Sequence, residues 1–422
     1  MRYDLNDKKV LVYDFGSYLE VAQRLSKDYG IVYYFCPYVI NGYPEHSSAV
    51  IGMNVPGVIK VKEWASVIEE VDLVYFPDSH EPYLQNFFRN VLGKAVFGSV
   101  FACNLEHDRG LLNKTLYELG LPVSNYTEPT GLDELEECLM NCKEGYVKSG
   151  LRGDMETWYH SDPRLSKREL KRMRYEMGLY ENKEKYLVQH PVPSLAEIGI
   201  DPFCIDGDYP DICTAGIEIK DAGYLCKMVY YKTLPPQVRD VTDKLGPIFK
   251  ECGYRGHYSN EIIISKDKRG FLIDNTCRNG QPPSSLMLEM YTNYSEIVWE
   301  VANGIYPNIQ YEKQWGVQLI IKSDMAESQP SPIIIPEEVR QFVKIKNLTI
   351  DEDGTYYYSP FGMKMKEIGA VIGMGNTIDE AEKNAKMVSE AIEGMDIHVK
   401  TDSIDKAKKS IDKLNKAGIN FI

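Results

Sequence analysis

Residues 261–278 read EIIISKDKRGFLIDNTCR, and this stretch decides the fold. Two apolar runs, 261–267 and 270–276, flank KDKRG, a polar stretch with a glycine that is typical of a hairpin turn. Glu261 and Asp274 are 13 residues apart, one on each predicted strand. This spacing predicts that the two carboxylates lie at one end of neighbouring strands, on one face of a sheet.

The paired carboxylates favour a metal site. Hard oxygen ligands suit Mg²⁺, which binds nucleotide phosphates through one or two carboxylates. Burying two carboxylates side by side without a cation is costly. The alternative, that one of them points to solvent, stays open. Arg278 follows Asp274 by four residues, where its guanidinium can meet phosphate oxygens and stabilise a transferring phosphoryl group.

A second feature lies upstream. Lys148 ends the predicted strand 146–148 and is followed by SGLRGD, which carries Gly150 and Gly153. A lysine at a strand end can reach a phosphate, and a glycine-containing loop lets backbone N–H groups close over it. The pattern is not a P-loop, because GxxxxGK[ST] is absent. A purely structural or solvated lysine is the alternative.

A third feature is KYLVQHPVP, residues 185–193, which predicts a strand that ends at prolines. Such an extended linker can line the edge of an adenine ring, with Gln189 or the backbone near Val192 meeting the base. Glu197 can accept hydrogen bonds from a ribose, or it is a surface glutamate.

The first hundred residues alternate between apolar runs and helical spacing, which predicts a parallel sheet with crossover helices. The predicted strands are 8–15, 30–38, 71–78 and 94–98, and the predicted helices are 18–27 and 81–91. Ligands of such sheets bind beyond the carboxyl ends of the strands, so the loop 14–17 is a candidate ligand loop.

Helical patterns recur further along the chain. A helix over 108–119 has Gly120 and Pro122 just beyond its end, and a helix over 377–392 opens with Thr377 and Glu380 in a capping-box spacing. Further helices are predicted over 132–142, 166–178 and 400–419.

Composition excludes several classes. The 422 residues carry a net charge of −14, which argues against broad binding of nucleic acid or anionic membranes. Nine scattered cysteines without a CxxC pair favour reduced thiols. The N-terminus lacks the apolar core of a signal peptide, and no run approaches the ~18 apolar residues of a membrane helix. We expect a cytoplasmic protein.

The order of lysine and glycine loop, linker strand and Asp-x-Thr-x-Arg hairpin resembles the ATP-grasp enzymes, whose last motif is usually Glu-x-Asn-x-Arg. More narrowly, the chain resembles the phosphoribosylamine–glycine ligases. The stretches that carry this resemblance are VLVYDFGSYLEVAQRL, DLVYFPDSHEPYLQNFF, GKAVFGSVFACNLEHDRGLLNKTLYELGLPVSNY, YVKSGLRGD and IGAVIGMGNTIDEAEKNA. They span nearly the whole chain.

The resemblance implies an α/β protein with three domains. These are an N-terminal Rossmann-like pre-ATP-grasp domain (1–103), a two-lobed ATP-grasp domain (104–310) whose mobile lobe covers about 124–190, and a small C-terminal α+β domain (311–422). It also implies a monomer or homodimer that acts on a small-molecule carboxylate and amine.

The implied activity is C–N bond formation through an acyl phosphate, with ATP and Mg²⁺ (or Mn²⁺), and in the named ligases this serves purine biosynthesis. The residue roles are implied position by position. Lys148, Arg109 and the loop with Gly150 and Gly153 would meet phosphates; Gln189, Val192 and Glu197 would hold the nucleoside. Glu261, Asp274 and either Asn275 or Thr276 would hold the metal, and Arg278 would steady the acyl phosphate.

Departures from the family pattern bear on the substrate. Arg109 stands at a usual lysine, Thr276 at a usual asparagine and Asp274 at a usual glutamate. The opening loop is DFGSYLEV, in which the acidic Asp14 is unfavourable for a phosphate. We therefore favour a ligase for another amino acid, peptide or modified substrate over the purine step. A catalytically reduced nucleotide-binding protein is the alternative from a different class.

Overall fold

The structure, a computed structural model, describes residues 3–37, 39–40, 43–44, 49–149, 157–359 and 366–422. The chain divides into two compact units. Unit 1 comprises Met1–Ala102, Ile198–Asn260 and Thr276–Ile422, and unit 2 comprises Cys103–Glu197 and Glu261–Asn275. Each unit therefore joins segments that are distant in sequence.

The helices are α1 Leu19–Leu25, α2 Pro82–Asn90, α3 Asn104–His107, α4 Arg109–Glu118, α5 Gly131–Asn141, α6 Pro163–Met177, α7 Pro236–Cys252, α8 Ser284–Met290, α9 Tyr294–Ala302, α10 Ile378–Ala391 and α11 Ile404–Lys416. Single 3₁₀ turns lie at Trp64–Ser66, Val100–Cys103, Gly178–Tyr180, Tyr231–Thr233, Asp324–Glu327 and Arg340–Phe342.

The strands are β1 Lys9–Tyr13, β2 Ile31–Phe35, β3 Val39–Ile40, β4 Tyr43–Pro44, β5 Val58–Val61, β6 Leu73–Tyr75, β7 Ala95–Phe97, β8 Tyr126–Thr127, β9 Gly145–Ser149, β10 Trp158–His160, β11 Tyr186–Gln189, β12 Ser194–Asp201, β13 Phe203–Ile205, β14 Ile212–Ile219, β15 Gly223–Tyr230, β16 Arg255–His257, β17 Ser259–Ser265, β18 Gly270–Thr276, β19 Trp315–Ser323, β20 Ser331–Ile334, β21 Val343–Ile345, β22 Leu348–Ile350, β23 Tyr356–Tyr358, β24 Glu367–Gly375, β25 Glu393–Gly394 and β26 Ile397–Val399.

The first part of unit 1 is a parallel sheet in the order β5–β2–β1–β6–β7. Strands β1, β2 and β6 are almost wholly buried, which is why they read as continuous apolar runs rather than as alternating ones. The core against this sheet includes Leu11, Val74, Phe76, Phe88 and Val96. The predicted parallel α/β region is confirmed.

A larger sheet follows the order β18–β17–β12–β14–β15–β19–β24–β21, with β26 beside β19. Its pairs from β14 to β24 are antiparallel, so the fold mixes parallel and antiparallel sheets. The chain passes from one unit to the other within β12, β17 and β18. Strand β18 has the predicted bounds, whereas β17 begins and ends two residues earlier than predicted.

Unit 2 contains a four-stranded antiparallel sheet in the order β10–β9–β11–β8. Helices α5 and α6 contribute apolar side chains to its core, among them Leu132, Leu135, Leu139, Leu170 and Met173. Those on α5 are three and four residues apart, the spacing of one helical face. This confirms the amphipathic helix that was predicted over 132–142.

Several predicted boundaries differ from the structure, among them those of the helix predicted over 400–419, which spans Ile404–Lys416. Two of the differences have local causes. Helix α6 begins at Pro163 rather than at 166, because the Asp162 carboxylate accepts a hydrogen bond from Arg164 N at 2.8 Å and caps the helix, and proline suits the first turn. The strand predicted over 185–193 ends at Gln189, since Pro191 and Pro193 have no N–H to donate to a sheet. Among the described residues, no helix combines the length and apolar character needed to cross a membrane.

Candidate active site

Two cationic side chains of unit 2 contact consecutive residues of strand β18. Lys148, on β9, donates from Nζ to the Ile273 carbonyl oxygen at 2.9 Å. Arg109, the first residue of α4, places Nη1 2.5 Å from Asp274 Oδ1. Three of the residues predicted for phosphate and metal binding therefore lie together: Lys148, Arg109 and Asp274.

The start of α4 holds Arg109 in place. The Asp108 carboxylate accepts a hydrogen bond from Leu111 N at 2.8 Å and caps the helix, which was predicted to begin at this residue. At the other end, Gly120 has φ +65°, which confirms it as the residue that terminates the helix. Behind Arg109 the chain is tightly packed, because a Cβ on Gly110 would lie 2.0 Å from Glu128 Oε1.

The predicted metal ligands lie on the hairpin of β17 and β18. Glu261 and Asp274 are half-buried, and Asn275 and Thr276 are buried. Successive side chains of a strand point to opposite faces, so Asp274 and Thr276 share a face and Asn275 points to the other.

The predicted nucleoside residues occupy the linker between β11 and β12. Gln189 is buried at the end of β11, and Glu197 is half-buried on β12. Val192 lines a cleft of about 460 Å³ together with Asn125, Phe271 and other residues, but neither Gln189 nor Glu197 is among them. Gly150 and Gly153 lie outside the described residues.

Arg278 lies in unit 1, just after the end of β18. Its Nη1 donates to the Tyr18 hydroxyl oxygen at 3.1 Å and to the Asn279 carbonyl oxygen at 3.2 Å. Its Nε is 3.6 Å from Asp78 Oδ1. Tyr18 and Asp78 follow β1 and β6, so Arg278 sits at the carboxyl edge of the parallel sheet, the edge where such folds bind ligands.

Sequence reasoning missed Tyr18, Asp78 and Asn279 as neighbours of Arg278. Asn279 bonds to two tyrosines. Its backbone carbonyl oxygen accepts from the Tyr18 hydroxyl at 2.8 Å, and its side-chain Nδ2 donates to the Tyr75 hydroxyl at 3.0 Å. One indication of Asp78 was present in the sequence, because this residue ends a predicted parallel strand, at the edge where ligands bind. Nothing in the local pattern pairs it with residue 278.

A buried carboxylate in unit 1 was also missed. Asp201 accepts hydrogen bonds from the Ser259 and Tyr224 hydroxyls, both at 2.5 Å. Burial raises its pKa to about 6, against the opposing effect of the hydroxyl donors, which include Thr214. The sequence IGIDPF gives no hint of a buried acid beyond its apolar flanks.

Comparison with solved structures defines the class: the chain has the ATP-grasp fold. The phosphoribosylamine–glycine ligase of Thermotoga maritima is similar with a TM-score of 0.71 and 12% identity, over 93% of this chain and 99% of that chain. No protein-family model and no curated protein match the sequence.

Two other solved structures show the breadth of this likeness. The biotin carboxylase domain of the Hydrogenobacter thermophilus 2-oxoglutarate carboxylase, a dimer in complex with MgADP and bicarbonate, has a TM-score of 0.67 and 12% identity, over 98% of each chain. The L-amino acid ligase of Bacillus licheniformis has a TM-score of 0.58 and 14% identity, over 94% of this chain and 99% of that chain. At these identities the likeness is one of fold.

Proposed function

We propose that the protein is an ATP-dependent carboxylate–amine ligase that acts through an acyl phosphate. The observation that carries this proposal is the arrangement on β18, where Lys148 and Arg109 reach consecutive residues, one of them the predicted ligand Asp274. The fold is that of enzymes whose names include ligases and carboxylases, two of them crystallised with ADP. We further propose the three-domain division at 103 and 310.

The proposed chemistry has two displacements. A carboxylate oxygen attacks the γ-phosphorus of ATP, the bond to the β–γ bridging oxygen breaks, and ADP leaves with that electron pair. The amine nitrogen then attacks the carbonyl carbon, the C–O bond to phosphate breaks, and the nitrogen loses one proton to give the amide. Because little covalent chemistry falls to the protein, positioning and charge neutralisation dominate.

Each residue group has a proposed role in this chemistry. Lys148 and Arg109, in unit 2, bind phosphates of ATP, and Gln189, Val192 and Glu197 hold the nucleoside. Arg278, in unit 1, neutralises charge on the acyl phosphate, a role assigned by the order of the motifs along the chain. Arginine suits that role because its planar fork matches phosphate oxygens.

The donor chemistry of Glu261, Asp274 and Thr276 fits Mg²⁺, which prefers hard oxygen ligands and few carboxylates. When bound, the ion would neutralise charge on the phosphates. Arg109 already contacts Asp274 Oδ1, so this carboxylate is oriented before any ion binds. An oriented carboxylate loses less conformational freedom on binding a cation.

We propose a substrate pair other than glycine and phosphoribosylamine. Two observations support this choice. The pattern of the phosphoribosylamine–glycine ligases is not kept at Arg109, Thr276 and Asp274, and the opening loop carries the acidic Asp14. The test is ADP release with Mg²⁺ and ATP against a panel of carboxylates and amines that includes glycine with phosphoribosylamine. Turnover that requires one carboxylate and one amine supports the ligase proposal, and turnover with glycine and phosphoribosylamine would contradict the choice of substrate. ATP binding without ADP release on any pair contradicts it and favours a non-catalytic nucleotide-binding protein.

A further inference from the structure

The guanidinium of Arg278 has contacts on two sides. Its Nη1 donates to the Tyr18 hydroxyl oxygen at 3.1 Å and to the Asn279 carbonyl oxygen at 3.2 Å, and its Nε lies 3.6 Å from Asp78 Oδ1. The side chain nevertheless keeps 27% of its surface exposed. Arg278 is therefore anchored by the protein while part of it stays accessible from solvent.

The Tyr18 hydroxyl acts toward Arg278 as an acceptor. A phenol has one proton to donate, and in Tyr18 that proton goes to the Asn279 carbonyl oxygen at 2.8 Å. The tyrosine is buried, so this hydroxyl has no competing bulk water. Because its oxygen is uncharged, it orients the guanidinium without cancelling the positive charge that a phosphate would meet.

The main chain fixes both acceptors of Arg278 Nη1. Tyr18 N donates to Asp14 Oδ2 at 3.0 Å, in the turn between β1 and α1. Asn279 N donates to the Pro77 carbonyl oxygen at 3.0 Å, two residues beyond the end of β6. Strands β1 and β6 are adjacent in the parallel sheet. The ends of two neighbouring strands therefore set the positions of the two oxygens that hold Arg278.

The side chain of Asn279 belongs to a buried network that limits its movement. Its Nδ2 donates to the Tyr75 hydroxyl oxygen at 3.0 Å and to Ser284 Oγ at 3.1 Å. The Tyr75 hydroxyl lies 2.8 Å from the Tyr294 hydroxyl, which lies 3.0 Å from His257 Nε2. These five residues are all buried. Because an unpaired polar group is costly at such depth, the network keeps Asn279, and with it the Tyr18 hydroxyl, in one place.

We propose that Tyr18 is a positioning residue, whose hydroxyl oxygen holds the guanidinium of Arg278 in the orientation that meets the acyl phosphate. The inference rests on the proposed function and adds a residue to its machinery. A guanidinium that is already oriented loses less rotational freedom when it binds, and its charge meets the transition state without reorganisation. Tyr18 acts only through Arg278 and touches no reacting atom.

Removal of the hydroxyl group alone tests this role. On the substrate pair found in the ADP-release panel, Tyr18→Phe is expected to lower kcat at least about tenfold, with KM and the Kd for ATP changed less than about twofold. The matched control is Tyr29→Phe, which removes another buried hydroxyl of unit 1, one that donates to the Ser295 carbonyl oxygen at 3.1 Å. This control is expected to keep the wild-type kcat, and urea unfolding checks that both variants are folded.

Nitrogen-15 magnetic resonance of the arginine side chains gives a readout that needs no turnover. The signals of Arg278 are assigned by their absence in Arg278→Lys. In the wild type we expect separate signals for Nη1 and Nη2, because the acceptors of Nη1 slow rotation about the Nε–Cζ bond. Tyr18→Phe should speed this rotation at least about tenfold, since a hydrogen bond to a charged group is lost. Tyr29→Phe should leave it unchanged.

The outcomes separate this inference from the proposed function. An unchanged kcat in Tyr18→Phe, or an equal loss of kcat in Tyr29→Phe, overturns the inference, and so does a wild-type Arg278 whose Nη signals are averaged by fast rotation. If Tyr18→Phe does not fold, the wild-type resonance measurement decides alone. Absence of ADP release by the wild type on every substrate pair counts against the ligase proposal instead, and the resonance comparison still decides whether Tyr18 holds Arg278.

Discussion

Arg109 Nη1 lies 2.5 Å from Asp274 Oδ1, and this ion pair ties the first residue of α4 to β18. The two residues are 165 positions apart, and both side chains are partly shielded from water. A predicted phosphate ligand and a predicted metal ligand are therefore partners before any nucleotide binds. The pairing explains how the negative charge of a half-buried aspartate on β18 is neutralised.

Replacing Arg109 should show what its charge does. Arg109→Met removes the cation and is expected to raise the Kd for ATP by about tenfold or more, since a charge-assisted hydrogen bond is worth roughly 1.5–3 kcal/mol. Arg109→Lys keeps the charge but loses the planar fork, so a smaller rise is expected. Titration calorimetry with ATP measures both, with the exposed Arg168→Met as control. Wild-type affinity in Arg109→Met would remove this residue from the site.

Lys148→Ala should weaken ATP binding by roughly ten- to a hundredfold, on the same energetic grounds. Lys148 donates to the Ile273 carbonyl oxygen, and the proposal is that it also reaches the phosphates. Lys143→Ala, an exposed lysine of the same unit, is the control and should bind ATP normally. An unchanged nucleotide affinity in Lys148→Ala would show that Lys148 does not bind the phosphates.

The double variant Glu261→Gln with Asp274→Asn should abolish magnesium-dependent turnover, because it removes both proposed carboxylate ligands while keeping their size. ADP release is measured across a magnesium titration, and binding of Mn²⁺ followed by electron paramagnetic resonance gives a readout that does not need turnover. Glu118→Gln with Asp221→Asn, two exposed carboxylates, is the matched control. Retained turnover would show that the metal is held by other residues.

The raised pKa of Asp201 should make the free energy of unfolding depend on pH. Its pKa is raised to about 6 in the folded chain, against an unfolded value near 4. Between these values the folded state keeps a proton that the unfolded state has lost. The free energy of unfolding should therefore fall as the pH rises from about 4 to about 6, by roughly 3 kcal/mol from this group. Its stabilising contribution is complete below pH 4 and is lost above pH 6.

Urea unfolding between pH 4 and pH 8 measures this dependence. Asp201→Asn should flatten the slope over the lower part of the range. A residual slope up to about pH 7 is expected from Glu20, whose pKa burial raises to about 7. If Asp201→Asn keeps the full wild-type slope, its carboxyl group does not titrate as the structure indicates.

Local signals predicted much of the fold. The bounds of β18, the end of α4 at Gly120 and the cap of α10 by Thr377, whose Oγ1 accepts from Glu380 N at 3.2 Å, all follow from residues adjacent in sequence. A parallel sheet was predicted from the alternating patterns, since parallel strands require crossovers, but its edge strand β5 was not predicted. The limits of α6 and β11 were misjudged by a few residues where a cap or a proline decides them.

Contacts between distant residues could not be predicted from the sequence. The pairs Arg109–Asp274 and Arg278–Tyr18 depend on packing that brings together chain segments 165 and 260 positions apart. The hydrogen-bond partners of the loop at Asp14 could not be predicted from the sequence either. Its position predicted a ligand loop, but its amides bind the chain's own carboxylate, and no local pattern distinguishes the two partners.

Ligation through an acyl phosphate is tested most directly by isotope tracing. The carboxylate substrate found in the ADP-release panel is labelled with ¹⁸O, and the released phosphate is analysed by mass spectrometry. An acyl phosphate intermediate requires that one ¹⁸O atom moves from each carboxylate into each inorganic phosphate, with ADP as the nucleotide product. Phosphate without label, or release of AMP and pyrophosphate, would contradict it.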